Sequence, residues 1–141
     1  MEIKNKRSAS IDDIEIGSSE SIIKVISHAD VKLFAELSGD FNPIHLDEEY
    51  AKNSRYKKNI AHGLMCASFF SGIFGTKLPG LGAIYTSQTL NFKRPIYIGD
   101  AVEVFVEVTN IDKNKRRVQF ITQCKVKSKI CIEGNAEIYI P

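Results

Sequence analysis

The stretch from Gly63 to Lys77 constrains what this chain can fold into more than any other. It reads GLMCASFFSGIFGTK, with Leu64, Met65, Ala67, Phe69, Phe70, Ile73 and Phe74 spread around almost every side of a helical wheel. A surface helix carries a polar face, so this pattern predicts a helix in the interior. Gly72 and Gly75 lower its intrinsic stability, which predicts close packing against another backbone or a ligand. The cluster Pro79, Gly80 and Gly82 then ends it. Residues 83 to 140 read almost entirely as strands, divided at Gly99-Asp100 and at the polar turn around Lys113-Asn114. In Ala101 to Val108, Val102, Val104, Val106 and Val108 fall on one face and Glu103, Phe105 and Glu107 on the other, as in a half-buried antiparallel strand. Val118 to Val126 and Ile130 to Ile140 continue the sheet. One buried helix beside consecutive antiparallel strands gives an α+β class, a curved sheet wrapped around a long central helix.

At 141 residues the chain accommodates one hydrophobic core, and without an internal repeat or a Pro/Gly/Ser-rich linker it reads as a single domain over residues 1–141. Apolar residues make up 43% and charged residues 26%, the balance of a packed globular protein and not of a disordered one. Basic residues cluster at Lys4 to Arg7 and at Lys113 to Arg117, but neither run is interleaved with aromatics and the net charge is only +2. Nucleic acid is therefore not the expected partner. A few cations could still meet the phosphates of a nucleotide-bearing substrate. Cys66, Cys124 and Cys131 are odd in number and lack CxxC spacing, which predicts reduced thiols. The opening MEIKNKRSAS has no apolar core of a signal peptide, and no stretch is apolar for long enough to cross a bilayer. The expectation is a cytoplasmic protein with no membrane association.

Ahead of the long helix, Ser27 with Asp30 three residues on resembles a capping box. Val31, Phe34, Ala35 and Leu37 recur at helical spacing until Gly39 offers a stop. Asp47 to Ala51 reads as a further helical turn and Lys52 to Asn59 as a surface loop. Between them, SGDFNPIH over Ser38 to His45 sets a carboxylate and an imidazole five residues apart across a proline. Pro43 pushes Asn42 out of the helical region, so Asp40 and His45 are expected on an irregular loop past the helix end. Sharing one water, such a pair can divide acid and base work near neutral pH without a cofactor. Spacing alone favours a blander reading, a turn-forming aspartate and a packed histidine.

The second candidate segment begins at Ile60, IAHGLMCASFFSG. The first amides of a helix lack internal partners and carry the positive end of its dipole, so Gly63 is placed to hold a carbonyl oxygen that gains negative charge. His62, immediately before the helix, reads as a turn or packing residue and is left out of the catalytic set. Ser71 alone reads as a small residue that permits close packing.

Together these residues resemble the MaoC-like family of (R)-specific enoyl-CoA hydratases. Phe34 through His45 match its hydratase motif in the Gly39-Asp40, Asn42-Pro43 and His45 elements; His62-Gly63, Phe70-Ser71-Gly72 and NFKRPIYIGD from Asn91 to Asp100 supply further matches. The resemblance implies a hot-dog fold working as a homodimer or dimer of dimers. It implies that Asp40 and His45 activate water, that the Gly63 amide polarises a thioester carbonyl, and that Ser71 and Asn42 support the site. The substrate is then a trans-2-enoyl coenzyme A thioester, most simply a short one, with no cofactor and no metal. In the family the region of Arg94 borders the thioester-binding cleft, so Arg94 and then Lys93 are the candidates for coenzyme A contact, ahead of Lys57 and Lys58. Phe69, Phe70, Ile73 and Leu78 are candidates for an acyl tunnel.

Three alternatives stay open at this level: dehydration on an acyl-carrier protein, thioester hydrolysis on the same fold, and a non-catalytic acyl-thioester-binding subunit. The loop pair is unlike the carboxylate-on-helix arrangement usual in thioesterases, and the intact Asp40, His45, Gly63 and Ser71 set argues against a decayed subunit.

Overall fold

A computed structural model describes residues 7–141, so Lys4 to Lys6 of the first basic cluster lie outside the described residues. Its backbone is one antiparallel six-stranded sheet curled around one long helix. The strands are β1 (Ser19–Val25), β2 (Ile84–Gln88), β3 (Asn91–Phe92), β4 (Ala101–Asp112), β5 (Arg117–Val126) and β6 (Lys129–Tyr139). They pair in the order β1-β4-β5-β6-β2, with β3 also on β6. The helices are α1 (His28–Ser38), α2 (Pro43–Leu46), α3 (Glu48–Lys52) and α4 (Gly63–Thr76).

Alternation decides which face of the sheet turns inward. Val102, Val104, Val106 and Val108 of β4, Val118, Phe120 and Cys124 of β5, and Ile132, Ala136 and Ile138 of β6 are all buried. They close over Met65, Cys66, Ala67, Phe70, Ile73 and Phe74 of α4. The ring of Phe74 packs 4.7 Å from that of Phe120 and edge-on to Tyr85. Each buried aromatic or branched side chain contributes roughly 1.5–3 kcal/mol, so this helix–sheet contact is the main source of stability. Register is held where the sheet begins, by Ser19 opposite Glu107 and Val25 opposite Ala101, and carried across by Glu103 opposite Lys125.

The local signals around α1 act as their chemistry requires. Ser27 accepts from the Asp30 amide and Asp30 accepts from the Ser27 amide, both at 3.1 Å, a complete capping box. Gly39 closes the helix at φ 80°, a left-handed conformation that favours glycine.

Two sequence expectations are corrected, and one strand has no counterpart among them. β1 was not anticipated: SESIIKV is an edge strand with few apolar residues, and its alternation is weak because only one side meets the core. His45 does not lie on an irregular loop; it sits in the helical turn α2, which Pro43 opens at the first position and Asn42 caps by accepting from the Ile44 amide at 3.2 Å. Asn42 itself keeps the extended ψ of 123° that a residue before proline prefers. Finally, α4 is not enclosed on every side. Leu64 is 61% exposed, and Ser68, Ser71 and Gly72 lie on the same uncovered stripe. A Cβ built on Gly72 or Gly75 meets nothing within 4 Å, so the close packing expected of these glycines is not made within the chain. Among the described residues no helix is long and apolar enough to cross a membrane.

Candidate active site

The site forms where the loop after α1 meets the start of α4. Asp40 follows the left-handed Gly39, and its backbone is held by a run of short-range bonds: its amide donates to Ser38 Oγ at 3.1 Å, and its Oδ1 accepts from the Asn42 amide at 3.1 Å. Oδ2 is left free to face the next turn. There His45 Nε2 lies 3.9 Å away.

His45 is buried, and its Nδ1 lies 2.7 Å from the Ile60 carbonyl oxygen. An oxygen cannot donate, so Nδ1 carries the proton and Nε2 presents its lone pair toward Asp40. Burial is the largest influence on this imidazole and disfavours its charged form, and neighbouring His62 adds to that effect. The Ile60 hydrogen bond and the Asp40 carboxylate pull the other way and are outweighed, leaving the pKa below the ordinary 6.5. A neutral base whose lone pair stands 3.9 Å from a carboxylate oxygen is arranged for both to reach one water molecule.

Gly63 is brought to this pair by a clamp from the other end of the chain. The Ala61 amide donates to the Ile96 carbonyl at 2.7 Å, Ile60 bridges to Tyr97, and Asp100 Oδ2 accepts from the Tyr97 amide at 2.8 Å. The NFKRPIYIGD segment thus seats residues 60–61 against the sheet and aims the first turn of α4 at Asp40 and His45. A side chain on Gly63 would collide with the Phe92 ring, its Cβ only 2.6 Å from Cδ1 and Cε1. Two clefts meet at this point, both lined by His45, Gly63 and Phe92. One, of about 410 Å³, runs past Asp40, His62, Phe34 and Leu64; the other, of about 320 Å³, leads past Ile96 and Pro95 to Arg55, Lys93 and Arg94.

Asp40, His45 and Gly63 are therefore brought together. Asn42 adjoins them as the residue that bonds Asp40 and caps α2. Ser71 is not brought in: it lies two helical turns along α4 on the uncovered stripe. Lys93 and Arg94 do line a cleft mouth, but each has a prior bond, Lys93 to Glu133 at 2.7 Å and Arg94 Nη1 donating to the Ile130 carbonyl at 2.6 Å. Lys57 and Lys58 line a separate hollow with His28, Glu48 and Lys52. Phe70, Ile73 and Leu78 are spent on the core, so they line neither cleft, and Phe69 packs toward Lys24 instead.

Two residues at the site were not singled out as functional by sequence reasoning. Arg55 stands in the second cleft with its guanidinium over the Tyr56 ring, and among the described residues it has no carboxylate partner. It sits in a polar stretch with no periodic signal. His62, read as a packing residue, does pack: its ring lies 3.8 Å from that of His45, stacked at 28°, with Phe34 on another side. Its Nε2 also lies 3.0 Å from the Asp40 carbonyl and 4.0 Å from Asp40 Oδ2. Asp40, His45 and His62 bring three potential ligand atoms within 4.8 Å of one another. In this arrangement His62 Nε2 is bonded to the Asp40 carbonyl oxygen.

The comparisons with known proteins agree with one another. Residues 14–130 match the model of the MaoC like domain. The (R)-specific enoyl-CoA hydratase of Rhodospirillum rubrum is 48% identical over 130 residues, covering 92% of this chain and 90% of that one. The 3-hydroxybutyryl-CoA dehydratase of Methylorubrum extorquens is 45% identical over 130 residues, covering 92% and 83%. Among solved structures, the (R)-hydratase from A. caviae involved in PHA biosynthesis superposes with a TM-score of 0.90 at 38% identity, covering 92% of this chain and 98% of that one. With this fold and this pattern of matches, the chain is a hot-dog protein that belongs to the MaoC-like domain family.

Proposed function

We propose that this protein is an (R)-specific enoyl-CoA hydratase, a hydro-lyase that adds water syn across a trans-2-enoyl thioester or removes it in reverse. The observation that carries the reading is the 3.9 Å approach of a bare, buried His45 Nε2 to Asp40 Oδ2 beside the first amide of α4. The similarity to a hydratase of 48% identity over most of the chain supports the reaction class.

In the hydration direction a water lies between Asp40 and His45 and faces C3 of the enoyl chain. Its oxygen bonds to C3 as His45 Nε2 takes one of its protons. The C2–C3 π electrons move through the thioester, and the negative charge that builds on its oxygen rests on the Gly63 amide and the helix dipole. The imidazolium, stabilised by the Asp40 carboxylate, then returns the proton to C2 from the same face. The chemistry uses no cofactor and no metal; the coenzyme A thioester is the substrate. The carrier occupies the cleft toward Arg55, Lys93 and Arg94, where Arg55 is the cation with the least prior commitment. The working unit is a homodimer or dimer of dimers, supported by the uncovered stripe of α4 and by the exposed Leu33 and Leu37 of α1.

The test is turnover of crotonyl-CoA, followed by loss of the conjugated thioester absorbance and by the hand of the 3-hydroxybutyryl product. The wild type is expected to form the (R)-product. Asp40→Asn and His45→Ala are each expected to lose about 100-fold or more in kcat with an unchanged circular dichroism spectrum. Near wild-type turnover in either variant would remove both residues from the mechanism.

A further inference from the structure

Histidine 62 poses a problem that packing does not solve. Its ring is only 2% exposed and fills the space between Phe34 and His45, a place a phenylalanine would occupy without penalty. Its Nδ1 is buried with no hydrogen-bond partner among the described residues, and an unsatisfied buried nitrogen destabilises a fold. The other nitrogen must therefore matter. Nε2 stands 3.0 Å from the Asp40 carbonyl oxygen, which can only accept, so Nε2 carries the proton and Nδ1 is bare.

We propose that His62 is a positioning residue that holds the catalytic pair in register with the start of α4. Three attachments meet in it. Its Nε2–H fixes the main chain of Asp40, whose side chain is half exposed and whose other bonds stay within its own loop, the amide donating to Ser38 Oγ and Oδ1 accepting from the Asn42 amide. Its ring face sets the plane of the His45 imidazole, whose remaining anchor is the Ile60 carbonyl. Its backbone is the N-cap of α4, one bond from the Gly63 amide. One rigid side chain thus couples carboxylate, base and amide, groups drawn from three separate elements. The titratable groups that face the His45 ring are Asp40 and His62 themselves. The inference rests on the reading of Asp40 and His45 as the reacting pair, and it adds a residue that acts through them.

The experiment compares His62→Phe, which keeps ring volume and the stack but removes the donor, with His62→Gln, which returns an N–H at similar reach. His62→Phe is expected to lower kcat by roughly 10-fold to 100-fold, as a small misplacement of reacting groups does, with KM within about 2-fold of wild type. Its Tm is expected to stay level or rise, because a buried unpaired nitrogen is gone. His62→Gln, which returns the donor but not the stack, is expected to recover part of the kcat lost in His62→Phe. Wild-type kcat in His62→Phe, while Asp40→Asn and His45→Ala are inactive, overturns the role of His62 and leaves the pair standing. Activity retained in the latter two variants overturns the pair itself. Nitrogen-15 NMR supplies a readout independent of turnover: in His62→Phe, but not in His62→Gln, the Asn42 amide resonance is expected to move, and an unmoved signal overturns the proposal.

Discussion

At His45, one backbone carbonyl decides the chemistry. Because the Ile60 oxygen can only accept, the imidazole is locked in the tautomer whose free lone pair faces Asp40. Burial, the leading influence, and His62 together depress its pKa below 6.5, so the ring is neutral at physiological pH and available as a base. The sign follows directly. A base that must be unprotonated works above its pKa, so kcat/KM is expected to be flat above neutrality and to fall only as the pH drops through a value below 6.5. The same depression withdraws stability in that window, since the unfolded chain takes up the proton first. A pH–rate profile on a non-sticky enoyl thioester checks this, and an acid limb centred above 6.5 would contradict the assignment. Asp40 is legible as a candidate from its neighbours Gly39 and Pro43, whereas its pairing with His62, 22 residues on, is not.

Among the elements, the contact between the N-terminus of α4 and β3 is the most sharply defined. The Phe92 ring rests against the bare Cα of Gly63 and lines both clefts. Gly63→Ala is expected to push the ring aside and to lower kcat/KM by about 10-fold, since it disturbs the amide and the cleft together. Adding Phe92→Ala opens the space, so the double variant is expected to be more active than the sum of the single losses predicts. Strictly additive losses in that double-mutant cycle would mean the glycine is required for something other than room for Phe92. Much of this element pairing was readable in outline: the apolar pattern of α4 and the later strands is strong, and the match at Asn91 to Asp100 marked the segment that abuts the helix start. The fit between Gly63 and Phe92 was not, because nothing in either local sequence encodes the other.

For the molecule as a whole, the uncovered apolar surface is the feature that single-chain packing leaves unresolved. Leu37 is 84% exposed, and with Leu33 and Leu64, which flank Phe34, it leaves apolar surface uncovered near the site. Large apolar patches on monomers are uncommon and mark interaction surfaces. The purified protein is expected to sediment with at least twice the 15.8 kDa mass of the chain, and a monomeric mass at micromolar concentration would contradict the homodimer reading. The apolar uniformity of α4 in the sequence, read as complete burial, fits such an assembly better than it fits the isolated chain.

What the sequence by itself determined lies within a few residues' reach. The Ser27–Asp30 box and the left-handed Gly39 bound α1, Pro43 opens α2, and two-residue alternation turns the valines of β4 inward, all through backbone preferences and the period of apolar side chains. The motif residues named the candidates Asp40, His45 and Gly63 in the same local way. Only the tertiary structure decided that these three converge, that Ser71 stands apart from them, and that His62 links carboxylate, base and helix start. Those outcomes depend on how α4 is seated in the sheet by residues 60–61 and 96–100, a long-range packing result that local propensities do not carry.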